Sequence, residues 1–216
     1  LIQFEDFVTP RAVALLRRYR DRFRVFNDDI QGTAAVALGG LLAAHRVSGG
    51  RPGERPVLFV GAGSANTGIA DLLVRALVQE GMPAREAGRR CWLFDAEGLI
   101  TRARRDELPD YAKPYAHEAR GGDDLVEAIR RLRPASLIGA TGSPGVFTRE
   151  VIEAMADVND RPIVFALSNP TDRSEITAEH AYAWSDGRAV FASGSPFPSV
   201  TLGSRTFEPG QANNVY

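Results

Sequence analysis

The chain has 216 residues, of which 44% are hydrophobic and 25% charged, with a formal net charge of −1 at pH 7. These proportions are typical of a globular domain with a substantial core, and the near-neutral charge offers no electrostatic basis for binding nucleic acid or an acidic membrane. No apolar run approaches the ~18 residues that cross a bilayer. The single cysteine, Cys91, falls in a predicted buried strand, which is typical of a reducing compartment, so we predict a cytoplasmic location.

The N-terminal quarter of the chain predicts two short extended segments and two helices. Residues 1–7 are predicted to form a strand, and Thr9-Pro10 is typical of a helix start with the threonine as N-cap. Residues 23–26 are predicted to be extended again. Residues 30–47 are rich in Ala, Leu and Val, which indicates a well-buried helix.

Three acidic side chains stand where these extended segments end. Glu5 and Asp6 close the first segment, and Asp29 follows the second. Carboxylates without histidine or cysteine nearby favour Mg²⁺ or Mn²⁺ over Zn²⁺. A second interpretation is structural, with Asp28 and Asp29 capping the helix that opens at Ile30. The spacing alone leaves both interpretations open.

The segment after residues 57–60 has the pattern of a nucleotide-binding turn. An apolar run of strand length leads into Gly61-Ala62-Gly63-Ser64-Ala65, and a helical pattern follows over residues 66–80. Such a turn lets a pyrophosphate approach the backbone and meet the positive end of the next helix. Asn66 stands at the third glycine position of the dinucleotide fingerprint, so an ordinary strand–turn–helix unit remains the alternative.

A second acidic turn follows residues 91–94. Asp95 stands where a Rossmann-type unit places the carboxylate that binds the adenosine ribose. It lies further from Gly63 than the roughly 20 residues of the simplest unit, and an extra short helix over residues 82–89 accounts for the excess. An ordinary turn residue after a strand is the alternative for Asp95.

Strands and helices alternate through the rest of the chain. Strands are predicted at residues 57–60, 91–94, 136–139, 163–167 and 189–192, and helices at about 66–80, 123–132, 148–156 and 177–184. This alternation predicts an α/β fold with a doubly wound parallel sheet, a Rossmann-type dinucleotide-binding domain. All five strands end in turns rich in small or polar residues, so we expect a ligand site along that edge of the sheet.

Taken together, the motifs resemble those of the malic enzyme family. The blocks that carry the resemblance are Ile2-Gln3-Phe4-Glu5-Asp6-Phe7, Phe26-Asn27-Asp28-Asp29-Ile30-Gln31-Gly32-Thr33-Ala34, the glycine turn with Gly68-Ile69-Ala70, Phe165-Ala166-Leu167-Ser168-Asn169-Pro170-Thr171, Phe191-Ala192-Ser193-Gly194-Ser195-Pro196-Phe197 and Pro209-Gly210-Gln211 with Asn213-Asn214. They occur in the family's order along the whole chain. The resemblance implies oxidative decarboxylation of malate to pyruvate and CO₂, with reduction of NAD or NADP and with Mg²⁺ or Mn²⁺.

The resemblance also implies roles for individual residues. The metal ligands would be Glu5, Asp6 and Asp29, and Asp28 would be the acid that interacts with a catalytic lysine. The cofactor-binding residues would be Gly61, Ala62, Gly63, Ser64 and Ala65 at the pyrophosphate, Asp95 at the adenosine end and Asn169 at the nicotinamide. Asn169, Asn213 and Asn214 would bind the substrate.

The family's lysine base and tyrosine acid match no residue here, and Lys113, the one lysine, lies outside the matched blocks. We therefore expect a piece of a longer homo-oligomeric enzyme, inactive on malate by itself. Residues 27–212 would form the nucleotide domain, and residues 1–26 and 213–216 would belong to a flanking substrate-binding domain. The alternatives are a nucleotide-binding module without chemistry and a 2-hydroxy acid dehydrogenase that does not decarboxylate.

The choice of nucleotide depends on the turn after Asp95. NADP needs a positive group near its ribose 2′-phosphate, whereas Glu97 places a second carboxylate there. This carboxylate would repel the phosphate, which favours NAD. Arg102, Arg104 and Arg105 are near enough in sequence to reverse the preference, but we expect them on a solvated face.

Overall fold

The computed structural model describes residues 1–213. Its N-terminal part is a parallel pair of short strands, β1 (Ile2–Phe4) and β2 (Val25–Asn27), joined by helix α1 (Thr9–Tyr19). A π-helical turn, Asp28–Gly32, leads into helix α2 (Thr33–Ser48). The predicted helix therefore begins three residues later than expected. The side chain of Asn27 accepts a hydrogen bond from the Ile30 N–H at 2.8 Å and so starts the π-helical turn first.

The remaining elements build a seven-stranded sheet and a separate hairpin. In chain order they are β3 (Val57–Val60), α3 (Ser64–Gln79), α4 (Ala84–Arg89), β4 (Cys91–Asp95), β5 (Gly98–Leu99), α5 (Leu125–Leu132), β6 (Ser136–Gly139), α6 (Arg149–Asp157), β7 (Ile163–Ala166), α7 (Ala178–Trp184), β8 (Val190–Ser193), β9 (Val200–Leu202), β10 (Arg205–Phe207) and β11 (Gly210–Gln211). The sheet order is β11-β8-β7-β6-β3-β4-β5, and β9 pairs with β10.

Strand β3 occupies the point where the winding of the sheet reverses. Val60, its last residue, pairs with Phe94 of β4 on one side and with Gly139 of β6 on the other. The five predicted strands are parallel, and within the seven-stranded sheet of the described residues only β5 runs antiparallel to its neighbour. The chain continues from β3 to β4 on one side and from β6 to β7 on the other side. The loops after β3 and β6 therefore enclose a crevice, which is where open α/β sheets bind ligands. The predicted doubly wound, Rossmann-type fold is confirmed.

The side chains of β3 alternate between two hydrophobic cores. Phe59 packs with Leu41 of α2 and Leu73 of α3 on one face. Leu58 and Val60 pack on the other face with the apolar sides of α5, α6 and α7. All four residues of β3 are buried, as expected for a strand covered on both sides. Within residues 1–213 no helix has the length and apolarity of a membrane span.

The predicted role of Thr9 as an N-cap is wrong. Helix α1 begins at Thr9, and Val8 occupies the cap position. The Thr9 side-chain oxygen instead lies 3.2 Å from the Ser64 Oγ and accepts a hydrogen bond from the Ser64 N–H at 3.3 Å. A contact with the start of α3, distant in sequence, has replaced the local cap. It joins the N-terminal segment to the glycine turn.

Candidate functional site

The glycine turn lies at the crevice between β3 and β6. Gly61 follows β3 with a φ of +97°, and a Cβ atom on it would lie 2.5 Å from the carbonyl oxygen of Ala140 in the loop after β6. A side chain is therefore excluded by both the backbone angle and the close approach. The 16-residue helix α3 begins three residues later at Ser64. The positive end of a long helix thus stands at the crevice, as an anion site requires.

Asn66 stabilises the turn from inside. It is fully buried, and its Nδ2 donates to the carbonyl oxygens of Val60 and Gly61, each at 2.8 Å. The residue at the third fingerprint position therefore binds the protein's own backbone. Gly68, two residues further on, is a packing position, since a Cβ atom there would lie 2.6 Å from the Ile30 carbonyl oxygen. Helix α3 consequently packs directly on the π-helical turn that carries Asp28 and Asp29.

Asp95 ends β4 beside the glycine turn, but its carboxylate already has a partner. Arg104 donates from Nη1 to Oδ1 at 3.0 Å and from Nη2 to Oδ2 at 2.8 Å, and the Glu97 carboxylate lies 3.4 Å from Nη2. The hydrogen bonds to Asp95 raise the pKa of the Arg104 guanidinium. The Arg104 side chain is 18% exposed. The prediction of a solvated face is therefore wrong for Arg104, because a bidentate pair holds it against Asp95.

The parallel pairing of β1 and β2 brings two acidic segments to one end. The Asp6 backbone N–H donates to Asp29 Oδ2 at 3.1 Å. Burial is the main cause that raises the pKa of the Asp29 carboxyl, and the negative charges of Asp6 and Asp28 raise it further. Asp28 itself is buried, with 6% of its surface exposed. The Asp29 carboxylate is therefore half-buried, with the negative charges of Asp6 and Asp28 nearby.

Glu5 is not brought into this group. Its carboxylate accepts a hydrogen bond from Gln3 Nε2 at 3.0 Å, on the exposed side of the segment. Across residues 1–213 no three acidic, histidine or cysteine side chains are gathered closely enough to hold a metal ion. Of the three predicted ligands, only Asp6 and Asp29 are in contact, through the hydrogen bond from the Asp6 backbone N–H. The alternative in which the aspartates cap the helix is also not supported, because Asn27 supplies that hydrogen bond.

The predicted amide side chains lie on neighbouring loops at the carboxyl edge of the sheet. Asn169 is exposed, follows β7 and precedes Pro170 through a cis peptide bond. Asn213 Nδ2 donates to the carbonyl oxygen of Gly194, after β8, at 3.0 Å. The two loops touch, because a Cβ atom on Gly194 would lie 2.2 Å from the Leu167 carbonyl oxygen. Asn214 lies outside the described residues.

Glu175 belongs to this edge and was missed by sequence reasoning. It is fully buried, and its carboxylate accepts hydrogen bonds from the backbone and hydroxyl groups of Thr141 and Ser168. In sequence it stands two residues before Thr177, the N-cap of α7, where an acid is ordinary. The sequence carries no signal for its burial.

A cavity of about 550 Å³ lies elsewhere, between α3, α4 and residues 114–118. Trp92 and His117 line it, with ring centroids 4.3 Å apart, and Tyr115 donates from its hydroxyl to Asp71 at 2.5 Å. The residues that line it include none of the predicted site residues. The crevice at the glycine turn remains the candidate site, because it combines a close backbone approach at Gly61 with the positive end of α3.

Comparison with known families identifies the family of the chain. A family model described as "Malic enzyme, NAD binding domain" matches residues 30–216. The chain belongs to the malic enzyme family. The match confirms the predicted family and the nicotinamide dinucleotide-binding character of the fold.

Individual members of the malic enzyme family match along the whole chain. It is 49% identical to the chloroplastic NADP-dependent malic enzyme of Flaveria trinervia and 50% identical to the NADP-dependent malic enzyme of Vitis vinifera, covering 34% and 37% of their lengths. The chain thus spans about a third of these relatives. The solved malic enzyme of Entamoeba histolytica superposes with a TM-score of 0.74 at 28% identity, over 99% of this chain and 40% of that one.

The predicted cytoplasmic location is contradicted by these relatives. The malic enzymes of Flaveria trinervia, Solanum lycopersicum and Zea mays that match the chain are all named chloroplastic. The prediction was wrong because it rested on Cys91 alone. A single buried cysteine excludes an internal disulfide but does not distinguish one reducing compartment from another.

Proposed function

We propose that this chain is the nucleotide-binding part of a malic enzyme that converts malate to pyruvate and CO₂. The observation that carries the proposal is the packing of Gly68 on Ile30, which joins the glycine turn to the acidic turn through one helix. A hydride acceptor and a cation that polarises the same substrate must lie close together, and this contact supplies that proximity. The relatives of about 50% identity support the same reaction.

The dinucleotide would lie across the crevice, with its pyrophosphate at Gly61, Ala62, Gly63, Ser64 and Ala65. The first turn of α3 would stabilise the phosphate charge. Asn169 would contact the nicotinamide and the substrate, and Asn213 and Asn214 the substrate. Amide groups of this kind hold two reactants in a reacting geometry without adding charge.

The acidic turn would hold Mg²⁺ or Mn²⁺ through Asp6 and Asp29, with Glu5 as the third ligand once its side chain leaves Gln3. Hard carboxylate oxygens fit a divalent cation, which would also offset the repulsion from Asp6 and Asp28 that helps to raise the Asp29 pKa. When bound, the cation would withdraw electrons from the 2-oxo acid as CO₂ leaves. Asp28, buried beside Asp29, would orient the lysine base of the complete enzyme.

For the nucleotide we propose NADP in place of the NAD favoured by the sequence alone. Both oxygens of Asp95 are bound by Arg104, which neutralises the carboxylate that would otherwise repel a 2′-phosphate. Arg104 also lies 3.4 Å from Glu97, so its positive charge offsets part of the repulsion that these two carboxylates would exert on the phosphate. The relatives from Flaveria trinervia and Vitis vinifera are named NADP-dependent, which supports this choice.

The domain division also stays a proposal. Residues 27–212 would form the nucleotide domain, and residues 1–26 and 213–216 would belong to the substrate-binding domain of a longer, oligomeric enzyme. The separate pairing of β1 with β2, outside the seven-stranded sheet, supports a division near this point, although Asn27 itself belongs to β2.

The test is pyruvate formation from malate by the full-length protein, with and without Mn²⁺, with NAD and NADP assayed side by side. We expect pyruvate only with the metal and preferentially with NADP. In Asp29→Asn the Mn²⁺ concentration for half-maximal rate should rise at least about tenfold, whereas Asp21→Asn, at an 88% exposed side chain, should match the wild type. Metal-independent oxidation without CO₂ release would instead identify a simple 2-hydroxy acid dehydrogenase, and nucleotide binding without turnover a non-catalytic module.

A further inference from the structure

Glu175 is a fully buried acid whose four identified hydrogen-bond donors are all neutral. Its Oε1 accepts from the Thr141 N–H at 2.8 Å, the Thr141 hydroxyl at 2.9 Å and the Ser168 hydroxyl at 2.5 Å. Its Oε2 accepts from the Ser168 N–H at 3.3 Å. A buried carboxylate is costly unless several donors satisfy it, and here two separate loops supply those donors.

The two loops carry the candidate site. Thr141 follows β6, whose loop also contributes the Ala140 carbonyl that packs on Gly61. Ser168 follows β7 and immediately precedes Asn169. The Gly142 N–H donates to the Ser168 Oγ at 2.8 Å, so the same hydroxyl receives a bond from one loop and donates to Glu175. The network is closed, with Glu175 as its common acceptor.

Packing gives this acceptor little freedom to move. A Cβ atom on Gly139, the last residue of β6, would lie 2.7 Å from Glu175 Cγ and 2.7 Å from the Phe147 ring. The backbone of β6 therefore lies directly on the Glu175 side chain. A buried polar network contributes less to stability than an apolar core of the same volume, but it holds its members in one arrangement.

We propose that Glu175 is a positioning residue that sets the geometry of the nicotinamide end of the site. It aligns the loop after β6 with the loop after β7 and thereby places Asn169. The proposal rests on the malic enzyme function proposed above. It predicts a defect in hydride transfer, with the adenosine end of the site unaffected, because Asp95 and Arg104 make no contact with this network.

The test is Glu175→Gln in the full-length enzyme. Glutamine replaces one of the two acceptor oxygens by an NH₂ group. This group would face either the Ser168 N–H, which now donates to Oε2, or the three donors to Oε1 from Thr141 and Ser168. We expect kcat to fall about 10- to 100-fold, as for a small misplacement of reacting groups, with the nucleotide Kd within about twofold of wild type. The primary isotope effect with malate deuterated at C2 should increase, because hydride transfer becomes more rate-limiting.

Three further measurements separate positioning from a general loss of structure. Glu179→Gln, at an exposed glutamate on α7, should match the wild type. Ser168→Ala should reproduce the larger isotope effect, and the double variant should lose less than the sum of the single losses in activation free energy. A wild-type rate and isotope effect in Glu175→Gln would overturn the inference. A fall in kcat that is accompanied by a similar fold-loss of nucleotide affinity and by a lower melting temperature would also overturn it. A wild-type enzyme that forms no pyruvate would overturn the proposed function itself.

Discussion

At the scale of single residues, the pairing of Asp95 with Arg104 changes what the carboxylate can offer a ligand. A free aspartate after β4 would accept hydrogen bonds from both ribose hydroxyls. Here each oxygen accepts a hydrogen bond from the guanidinium, at 3.0 and 2.8 Å. A bound ribose would therefore compete with Arg104, whereas a 2′-phosphate would gain from it.

Replacement of Arg104 tests this account of the nucleotide preference. Arg104→Gln should raise KM for NADP about 10- to 100-fold, because one charge-assisted contact of about 1.5–3 kcal/mol is lost. The change in KM for NAD should be much smaller. Steady-state kinetics with both nucleotides measures the difference. Arg105→Gln is the matched control, since Arg105 is exposed. Equal changes for NAD and NADP would contradict a role for Arg104 at the 2′-phosphate.

One buried histidine, His45, and one partly buried histidine, His117, predict how stability depends on pH. Burial lowers the pKa of His45 and His117 below the ordinary value of 6.5. As the pH falls below this value, the unfolded state binds protons before the folded state does, so the free energy of unfolding decreases. Denaturant unfolding of the protein between pH 8 and pH 5 should show this loss.

His45→Gln is the variant that isolates one contribution. His45 is 2% exposed, whereas the control, His180, is exposed on α7 and stacks on Trp184 with ring centroids 4.3 Å apart. The decrease between pH 8 and pH 5 should become smaller in His45→Gln and stay unchanged in His180→Gln. A wild-type decrease in both variants would show that other groups cause it.

At the scale of secondary-structure elements, helix α3 is the part that joins the two halves of the site. Its first turn begins at the glycine turn, and Gly68, one turn later, lies against the backbone of the π-helical turn Asp28–Gly32. A glycine inside a helix costs about 1 kcal/mol relative to alanine. The close approach at Gly68 accounts for the presence of a glycine at this position.

Two helical glycines give a matched test of this approach. In Gly68→Ala the new methyl group would lie 2.6 Å from the Ile30 carbonyl oxygen, so we expect a loss of about 1–3 kcal/mol in unfolding free energy and weaker Mn²⁺ binding. In Gly39→Ala, on α2, no atom lies within 4 Å, and the helix should gain about 0.5–1 kcal/mol. Calorimetry and metal titration of the full-length protein provide the measurements. Equal effects of the two substitutions would exclude close packing as the reason for Gly68.

At the scale of the whole molecule, residues 1–213 form a seven-stranded sheet with a core on each face, but they include only part of the proposed chemistry. The single lysine, Lys113, is ion-paired with Asp110 at 2.7 Å and lies outside the carboxyl edge of the sheet. No group in residues 1–213 is therefore placed to act as the lysine base of the proposed reaction. The chain covers 34–38% of the length of its first matching relatives, which is consistent with a base supplied by another part of the full-length enzyme.

The isolated 216-residue chain should consequently form no pyruvate from malate. The measurement is a coupled pyruvate assay with Mn²⁺ and either nucleotide, run beside the full-length protein. Circular dichroism of the same sample establishes that the chain is folded. Turnover by the folded chain at a rate similar to that of the full-length protein would contradict both the domain division and the proposed source of the base.

The sequence by itself determined the fold class, the glycine turn and the bounds of β3, β4, β6, β7 and β8 to within one residue, but it made β1 too long and did not predict β11. These features depend on local properties: short apolar runs bury a strand on both faces, and Gly61 is required by a backbone angle. The family motifs also indicated Asp6 and Asp29, which follow β1 and β2 closely, but their role as metal ligands stays a prediction.

The tertiary structure decided which of these side chains meet. Thr141 and Glu175 lie 34 residues apart, and their contact depends on β6 and β7 being neighbours in the sheet. The contact between Thr9 and Ser64 likewise joins residues that are distant in sequence. The pairing of Asp95 with Arg104 depends on how the chain folds back after β5. Hydrogen bonds between distant loops follow from strand order and packing, and no local period in the sequence records them.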